Sequence, residues 1–527
     1  MKKILYIAIA LLGMYSCSND LLEPFTPGAL TDEIALVTSG DIIQIKNSSM
    51  QLMANRNAYT FSSIFTDEAA LGFNNGGQGR SGSDAYFLYY LDPSSSAPDA
   101  IWQSNYYALA RINRLLEKVD QIVPKDDDDK QILNRNKAEA LVLRALAHLK
   151  VMAYFSPNLK DDSALAGILA NRIIGTNESL GRATNGEFYK QIHKDLDDAL
   201  AIFSTNIAPP YPAKSWYASA NLAKGLKARA YAYKGDYTNA EKWADDVINT
   251  SGVALANSAQ ITGVFHANNS GDTSEVIFKF RRSPVQNSQA GNANPLNFNA
   301  NLHNGWVSVS NARNGSPFYE VSRALYDAYK TVTGDVRLDI NVRPAVGSTG
   351  SLIDANPTTS VDIRSTDILV PFKFGGSLAS TASNGFNQDY IEMRISEMYF
   401  IKAEARAAAG DFAGVSTTLK KITDNRFITP PAALSLTSAT QAYKAILDER
   451  RKELAFEGHR FIDLKRLYSL AGVNKFDRSI LDYGTQYWNV PGADPANFVF
   501  ANNNKWALPI PQSELNANSS IVQNPGY

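Results

Sequence analysis

The 527-residue chain contains a single cysteine, Cys17. With no second thiol there is no intrachain disulfide, so the fold rests on its core. Charge of one sign is also missing: the formal net charge is −1, and no long basic stripe appears, so a nucleic-acid partner has no electrostatic support. No apolar run approaches the ~20 residues that a bilayer-spanning helix needs. The five histidines, at 148, 193, 266, 303 and 459, are scattered along the chain. Walker loops, Gly-x-Ser-x-Gly elbows, His-Glu-x-x-His helices and paired zinc ligands are all absent, which removes the common signatures of nucleotide, serine-hydrolase and metalloprotease chemistry.

What is present begins at the lone thiol. Met1-Lys2-Lys3 is basic, Ile4–Leu12 is apolar, and small residues precede Cys17, the pattern of a secretory signal ending at a lipoprotein cleavage site. Met14-Tyr15-Ser16-Cys17 resembles a lipobox, with Tyr15 departing from its small second residue. We read residues 1–16 as signal peptide, Cys17 as the acylated residue and 17–40, with Pro24, Pro27 and Gly28, as a tether. Acyl chains contribute about 0.8 kcal/mol per buried CH₂, so they can hold a folded domain on a membrane without a spanning helix.

The domain then covers 41–527: a helical part over 41–250, a loop-rich excursion over 251–388, and a second helical part over 389–527. Helical periodicity starts at Asp41 and again near Ala100, where Ile101, Trp102, Leu109, Ile112 and Leu115 share one face and assign Trp102 to the core. A third helix is expected from about Lys137 to Phe155, ending at Pro157. "KDDDDK" at 125–130 precedes it and reads as a solvated cap; it lacks the glycine and spaced oxygens of a calcium loop. Residues 226–248 and 401–422 align without a gap, bringing Gly235-Asp236-Tyr237 over Gly410-Asp411-Phe412. A helix, a Gly-Asp-aromatic turn and a second helix make a tetratricopeptide-like unit, which needs neighbours to bury its apolar face.

The aromatic content is concentrated where periodicity fails. "AYFLYY" at 85–90 alternates as a short strand would, and the stretch 287–317 is rich in Asn, Gly and Ser and carries Trp306. A ligand site can be built from aromatic platforms with polar edges, and Tyr86, Tyr89 and Trp306 as platforms with Asp67, Asn74, Arg80 and Asn304 as rim groups supply such a mixture; for each aromatic the alternative is a place in the core. The densest charge cluster is "LDERRKELAFEGHRFIDLKR" at 447–466, where Glu449, Arg450, Glu453, Glu457, Arg460 and Asp463 recur at helical spacing and Gly458 lets one helix end as the next begins. No nucleophile or metal ligand accompanies it, and it reads as scaffold.

That cluster resembles the ERxxELxxEGxRxxDLxR signature of the SusD/RagB family. The stretches 101–119, 138–155, 187–203 and 393–412, and the ending "LPIPQSELNANSSIVQNPGY", are similar to the family in the same order. The resemblance implies a mostly α SusD-like fold, a tetratricopeptide-like scaffold of about four helical hairpins bearing a loop-rich lobe. It also implies a surface-exposed outer-membrane lipoprotein without cofactor, metal or enzymatic activity. Such a protein acts as a lid on a SusC-like TonB-dependent transporter and binds an oligosaccharide, or in the RagB branch a peptide. The competing class, an exported glycan hydrolase with two unrecognised carboxylates, has no motif to support it.

Overall fold

Thr38 opens the first helix with a capping box: its hydroxyl accepts from Asp41 N, and the Asp41 carboxylate accepts from Thr38 N at 2.9 Å. The computed structural model describes residues 35–71, 84–205, 214–266, 274–281, 319–344, 369–373, 389–483 and 498–527. In the first part run α1 (Ser39–Met53), α2 (Asn57–Phe65), β1 (Ala69–Leu71), α3 (Asp84–Phe87), α4 (Ser96–Lys118), α5 (Asp127–Phe155), α6 (Asn185–Ser204), α7 (Ala220–Lys234) and α8 (Tyr237–Thr250). The middle holds α9 (Ile261–His266), β2 (Val276–Phe280), β3 (Tyr319–Val321), α10 (Arg323–Lys330), α11 (Arg337–Asn341), β4 (Val342–Pro344) and β5 (Leu369–Pro371). The last part contributes β6 (Tyr390–Arg394), α12 (Ile395–Ala408), α13 (Phe412–Thr423), α14 (Ala439–Glu453), α15 (Arg460–Leu467) and α16 (Gln512–Ala517).

The 29-residue α5 is the central rod, packed by α1, α4, α6 and α7. From Ala138 on it is apolar nearly all round and buried on all sides, as a helix enclosed by neighbours must be. It begins at Asp127, well before the expected Lys137, because the acidic run is itself the first turn. Asp126 accepts from Asp129 N at 2.8 Å, and the carboxylates suit the positive end of the helix dipole. The other end is closed by distant side chains. Lys465 Nζ donates to Ala153 O at 2.8 Å, and Asn524 Nδ2 donates to Phe155 O at 2.9 Å. The closing motif is tied to the rod's last turn by Leu508 N, which donates to Tyr154 O at 2.9 Å. Trp102, buried as expected, donates to Glu514 at 3.2 Å.

The two aligned repeats are the helical hairpins α7–α8 and α12–α13, packed against each other through α8 and α12. Gly235 and Gly410 take left-handed φ values of 83° and 76°, and Asp236 and Asp411 cap the second helices, accepting from Asn239 N at 3.1 Å and Gly414 N at 2.8 Å. Ala228 and Ala403, matched in the alignment, are fully buried where the helices approach. "AYFLYY" departs from the expected strand. Asp84–Phe87 forms a helical turn, and Tyr89 then takes a left-handed φ of 63°, so both Tyr86 and Tyr89 point into the core and Tyr90 is left exposed.

The strands are short and antiparallel. β1 pairs with β3, β2 with β6, and β4 with β5. Each borders a stretch outside the described residues: the chain leaves by β1, β2 and β4 and returns by β3, β5 and β6. Leu71 pairs with Tyr319 and Phe280 with Tyr390, so departing and returning ends are joined at the root. Among the described residues no helix is long and apolar enough to cross a membrane.

Candidate functional site

The acidic face of α14 meets the strand roots in one buried ion network. Glu453, at the end of α14, accepts from Arg394 Nη1 at 2.7 Å, from Arg426 Nε at 2.8 Å and from Arg337 Nη1 at 3.2 Å. Arg394 closes β6, Arg426 follows α13 and Arg337 opens α11, so one carboxylate gathers three segments. Glu457 adds a fourth: it accepts from Arg394 Nε at 2.8 Å and pairs with Lys373, just after β5, at 2.6 Å. Glu275, just before β2, pairs with Arg426 at 2.7 Å and also with Arg394. Glu449 pairs with Arg337 at 2.6 Å.

All of these groups are buried. Burial alone would push the Glu453 carboxyl up, but Arg426 and Arg394 outweigh it and hold it well below the usual carboxylate range. Glu457 is likewise lowered, burial being overcome by Arg394 and Lys373. The remaining signature residues face the other way. Arg450 Nε donates to Asp463 at 2.7 Å, and Arg466 pairs with Glu404 of α12 at 2.9 Å, which ties α15 to the hairpin α12–α13. Gly458, at φ 82°, lies so close to Tyr59 that a Cβ would overlap its ring. Charged groups already paired with one another offer little to a substrate. The network is chemically a clamp.

The clamp reassigns several of the expected ligand contacts. Asp67 is not a rim group: it is buried, and both its oxygens accept from Arg460, at 2.7 and 2.8 Å. Tyr86 is not a platform either. It is buried, and its hydroxyl accepts from Ala97 N at 2.8 Å in the first turn of α4. Tyr89 is buried too, stacked on Phe476 with ring centroids 5.4 Å apart. Arg478 draws these aromatics inward. Its guanidinium lies 3.9 Å from the Phe87 ring centroid and 4.6 Å from that of Tyr89, and it donates to Phe87 O at 2.5 Å and Thr66 O at 2.6 Å. One side chain thus joins the chain on both sides of 72–83. Cys17, Asn74, Arg80, Asn304 and Trp306 lie outside the described residues.

Among the described residues three histidines pack with aromatic rings. His148 packs edge-on to Phe188, His193 stacks on Tyr231 and His266 meets Phe372, each in a different part of the fold. Among the described residues no group of three or more His, Cys, Asp or Glu is placed to hold a metal ion. An aromatic site that the sequence reading passed over does appear beside β2. The half-buried Trp216 has Arg281 4.7 Å and Lys214 5.5 Å from its ring centroid, and Lys279 N donates to Ser215 O at 2.8 Å, fixing this segment to the strand. Lys214-Ser215-Trp216-Tyr217 sits in a short link before α7, without the compositional bias that marks the long loops.

Beside Asp67, Glu68 titrates in the opposite sense. Burial, partly offset by a hydrogen bond from Ser63 at 2.6 Å, raises its pKa from 4.5 to about 7. The folded protein therefore keeps a proton that the unfolded chain releases near pH 4.5, and stability falls as pH rises from there to about 7. Glu68→Gln, neutral throughout, removes that decline. Relative to the wild type, it should gain about 2–3 kcal/mol between pH 5 and pH 8 in denaturant melts. An equal difference at the two pH values would contradict a proton held at Glu68.

Comparison with known proteins gives one consistent family. A model described as the SusD family matches residues 274–527, and a second, described as starch-binding and associating with the outer membrane, matches residues 40–225. A SusD-like protein, P2, of Formosa agariphila is 24% identical, aligned over 100% of this chain and 99% of its own. Among solved structures, a SusD superfamily protein from Bacteroides thetaiotaomicron superposes with a TM-score of 0.72 at 23% identity, covering 93% of this chain and 100% of the other. A laminarin-binding SusD-like protein superposes with a TM-score of 0.65 at 22% identity, covering 93% and 99%.

Proposed function

We propose, from the match of its two parts to SusD-type family models, that the chain is a SusD-family, surface-exposed outer-membrane lipoprotein that captures an oligosaccharide. It delivers the glycan to a SusC-like TonB-dependent transporter, over which it acts as a lid. It binds its ligand and does not cleave it. The observation that carries this reading is the match of both parts of the chain to models of one family, one of them described as starch-binding and associating with the outer membrane. A relative of the same fold is named for binding laminarin, and the ion network offers a rigid base for ligand-binding loops.

Cys17 carries the lipid anchor. Cys17→Ser, which removes the acyl acceptor, should leave the fold intact and move the protein from the membrane to the soluble fraction when it is expressed without its transporter. Retention in the membrane fraction would refute the anchor.

Trp306 is the leading platform, with Asn74, Arg80 and Asn304 as polar partners. The sequence "NLHNGWVSV" around it lacks the apolar periodicity of a buried helix face. Calorimetric titration of the protein with starch and laminarin oligosaccharides, beside peptides of similar length, tests both ligand class and site. Glycan binding without turnover is expected, and Trp306→Ala should weaken it at least tenfold, or ~1.4 kcal/mol, with an unchanged circular dichroism spectrum. Binding of peptides alone would transfer the protein to the peptide-binding branch, and unchanged glycan affinity in the variant would remove Trp306 from the site.

A further inference from the structure

The patch around Trp216 combines features that a core residue does not need. Its indole is half-buried, and two exposed cations of separate segments stand within 5.5 Å of the ring centroid: Lys214 from the link before α7 and Arg281 from the end of β2. Cations close by are neutralised. Lys279, two residues before Arg281, pairs with Asp389 at 2.8 Å, and Lys46, beside Tyr217, pairs with Glu139 at 3.1 Å. Lys214 and Arg281 have no carboxylate partner among the described residues. The face of the ring holds a cation near it by its quadrupole, but it does not cancel the charge or use up the N–H donors. Ser215, between Lys214 and Trp216 and fixed to β2 through its carbonyl, has an enclosed hydroxyl with no hydrogen-bond partner among the described residues.

Building on the glycan-binding reading above, we infer that Trp216, Lys214 and Arg281 form a subsite for an acidic sugar unit, one bearing a carboxylate or a sulfate ester. The anion receives the guanidinium and ammonium donors, which are strongest toward charged oxygens, and the apolar face of the sugar ring covers the part of the indole left exposed. A neutral sugar satisfies only the indole. The two cations therefore select for charge, and the patch lies at the root from which the chain leaves β2, beside the end that returns at Tyr390.

The test uses the full-length protein and a defined panel: oligogalacturonate and chondroitin sulfate oligosaccharides as acidic probes, laminarin and starch oligosaccharides as neutral ones. At low salt an acidic probe should bind at least tenfold more tightly than the neutral probes, and its affinity should fall as NaCl screens the contact. Lys214→Gln with Arg281→Gln should remove that advantage and the salt dependence while leaving neutral binding and the melting temperature unchanged. Trp216→Ala should weaken the acidic probe as well. Binding of a neutral probe with no binding of either acidic one would overturn the acidic subsite and leave the glycan-binding function standing. So would an acidic affinity unaffected by the double glutamine variant. Failure of every glycan in a panel widened to further neutral and acidic polymers would overturn the function itself, and the subsite with it.

Discussion

Glu453 is the one carboxylate among the described residues that joins β6, α11 and the segment after α13 in a single buried ion network. A carboxylate that deep in a protein is expensive to desolvate, and it is tolerated only when oppositely charged groups with good geometry surround it. Arg394, Arg426 and Arg337 provide those groups, each from a different stretch of chain. The constraint is mutual. Without Glu453 the three guanidiniums keep only their outer carboxylates, Glu275, Glu457, Glu449 and Asp335, and lose the one that joins them; Glu453 without them would be an isolated anion. The shared carboxylate couples these segments of the loop-rich region to a helical scaffold of tetratricopeptide-like design.

The scaffold supplies the rigidity. From Ala138 on α5 is largely enclosed, and its last carbonyls are occupied by Lys465 and Asn524, so the C-terminal motif is part of the rod's capping and not a loose tail. The hairpin α7–α8 packs on it through α7 and on α12–α13 through α8, and Arg229 of α7 reaches Glu392 of β6 at 3.0 Å and Glu397 of α12 at 2.7 Å. Helices, strands and the signature are thus joined by buried charge pairs between distant segments. Such pairs fix register where apolar contact alone would allow sliding, although every member must be desolvated.

Local order was legible in the sequence wherever its cause is local. The Gly-Asp turns at 235–236 and 410–411 are read from the residues that make them, because a left-handed ending and an N-cap need only neighbours in the chain. Asp67 was not legible as scaffold, since its partner Arg460 lies 393 residues further on. The signature charges suggested pairs within their own helices. Arg466 with Asp463 is such a pair, but Arg450 reaches Asp463 across two helices, and Glu453 and Glu457 turn to arginines and a lysine that no spacing rule connects to them. Tyr86 and Tyr89 looked like platforms because an aromatic cluster beside a glycine-rich loop has the composition of a binding surface; Arg478, from the far end of the chain, turns that cluster inward. Trp216 escaped notice for the converse reason, as its cationic neighbour Arg281 is distant in sequence and its own segment is short.

The central claim is that the ion network holds the loop roots to the scaffold and does not itself meet ligand. Native-state hydrogen exchange of Glu453→Gln against the wild type tests it most directly. The account predicts that protection falls most in β2, in β6 and around Arg426, by more than any general loss, while α7 and α8 stay protected apart from that general loss. Equal loss in α7, α8 and the strand roots, or no loss at the roots at all, would contradict it.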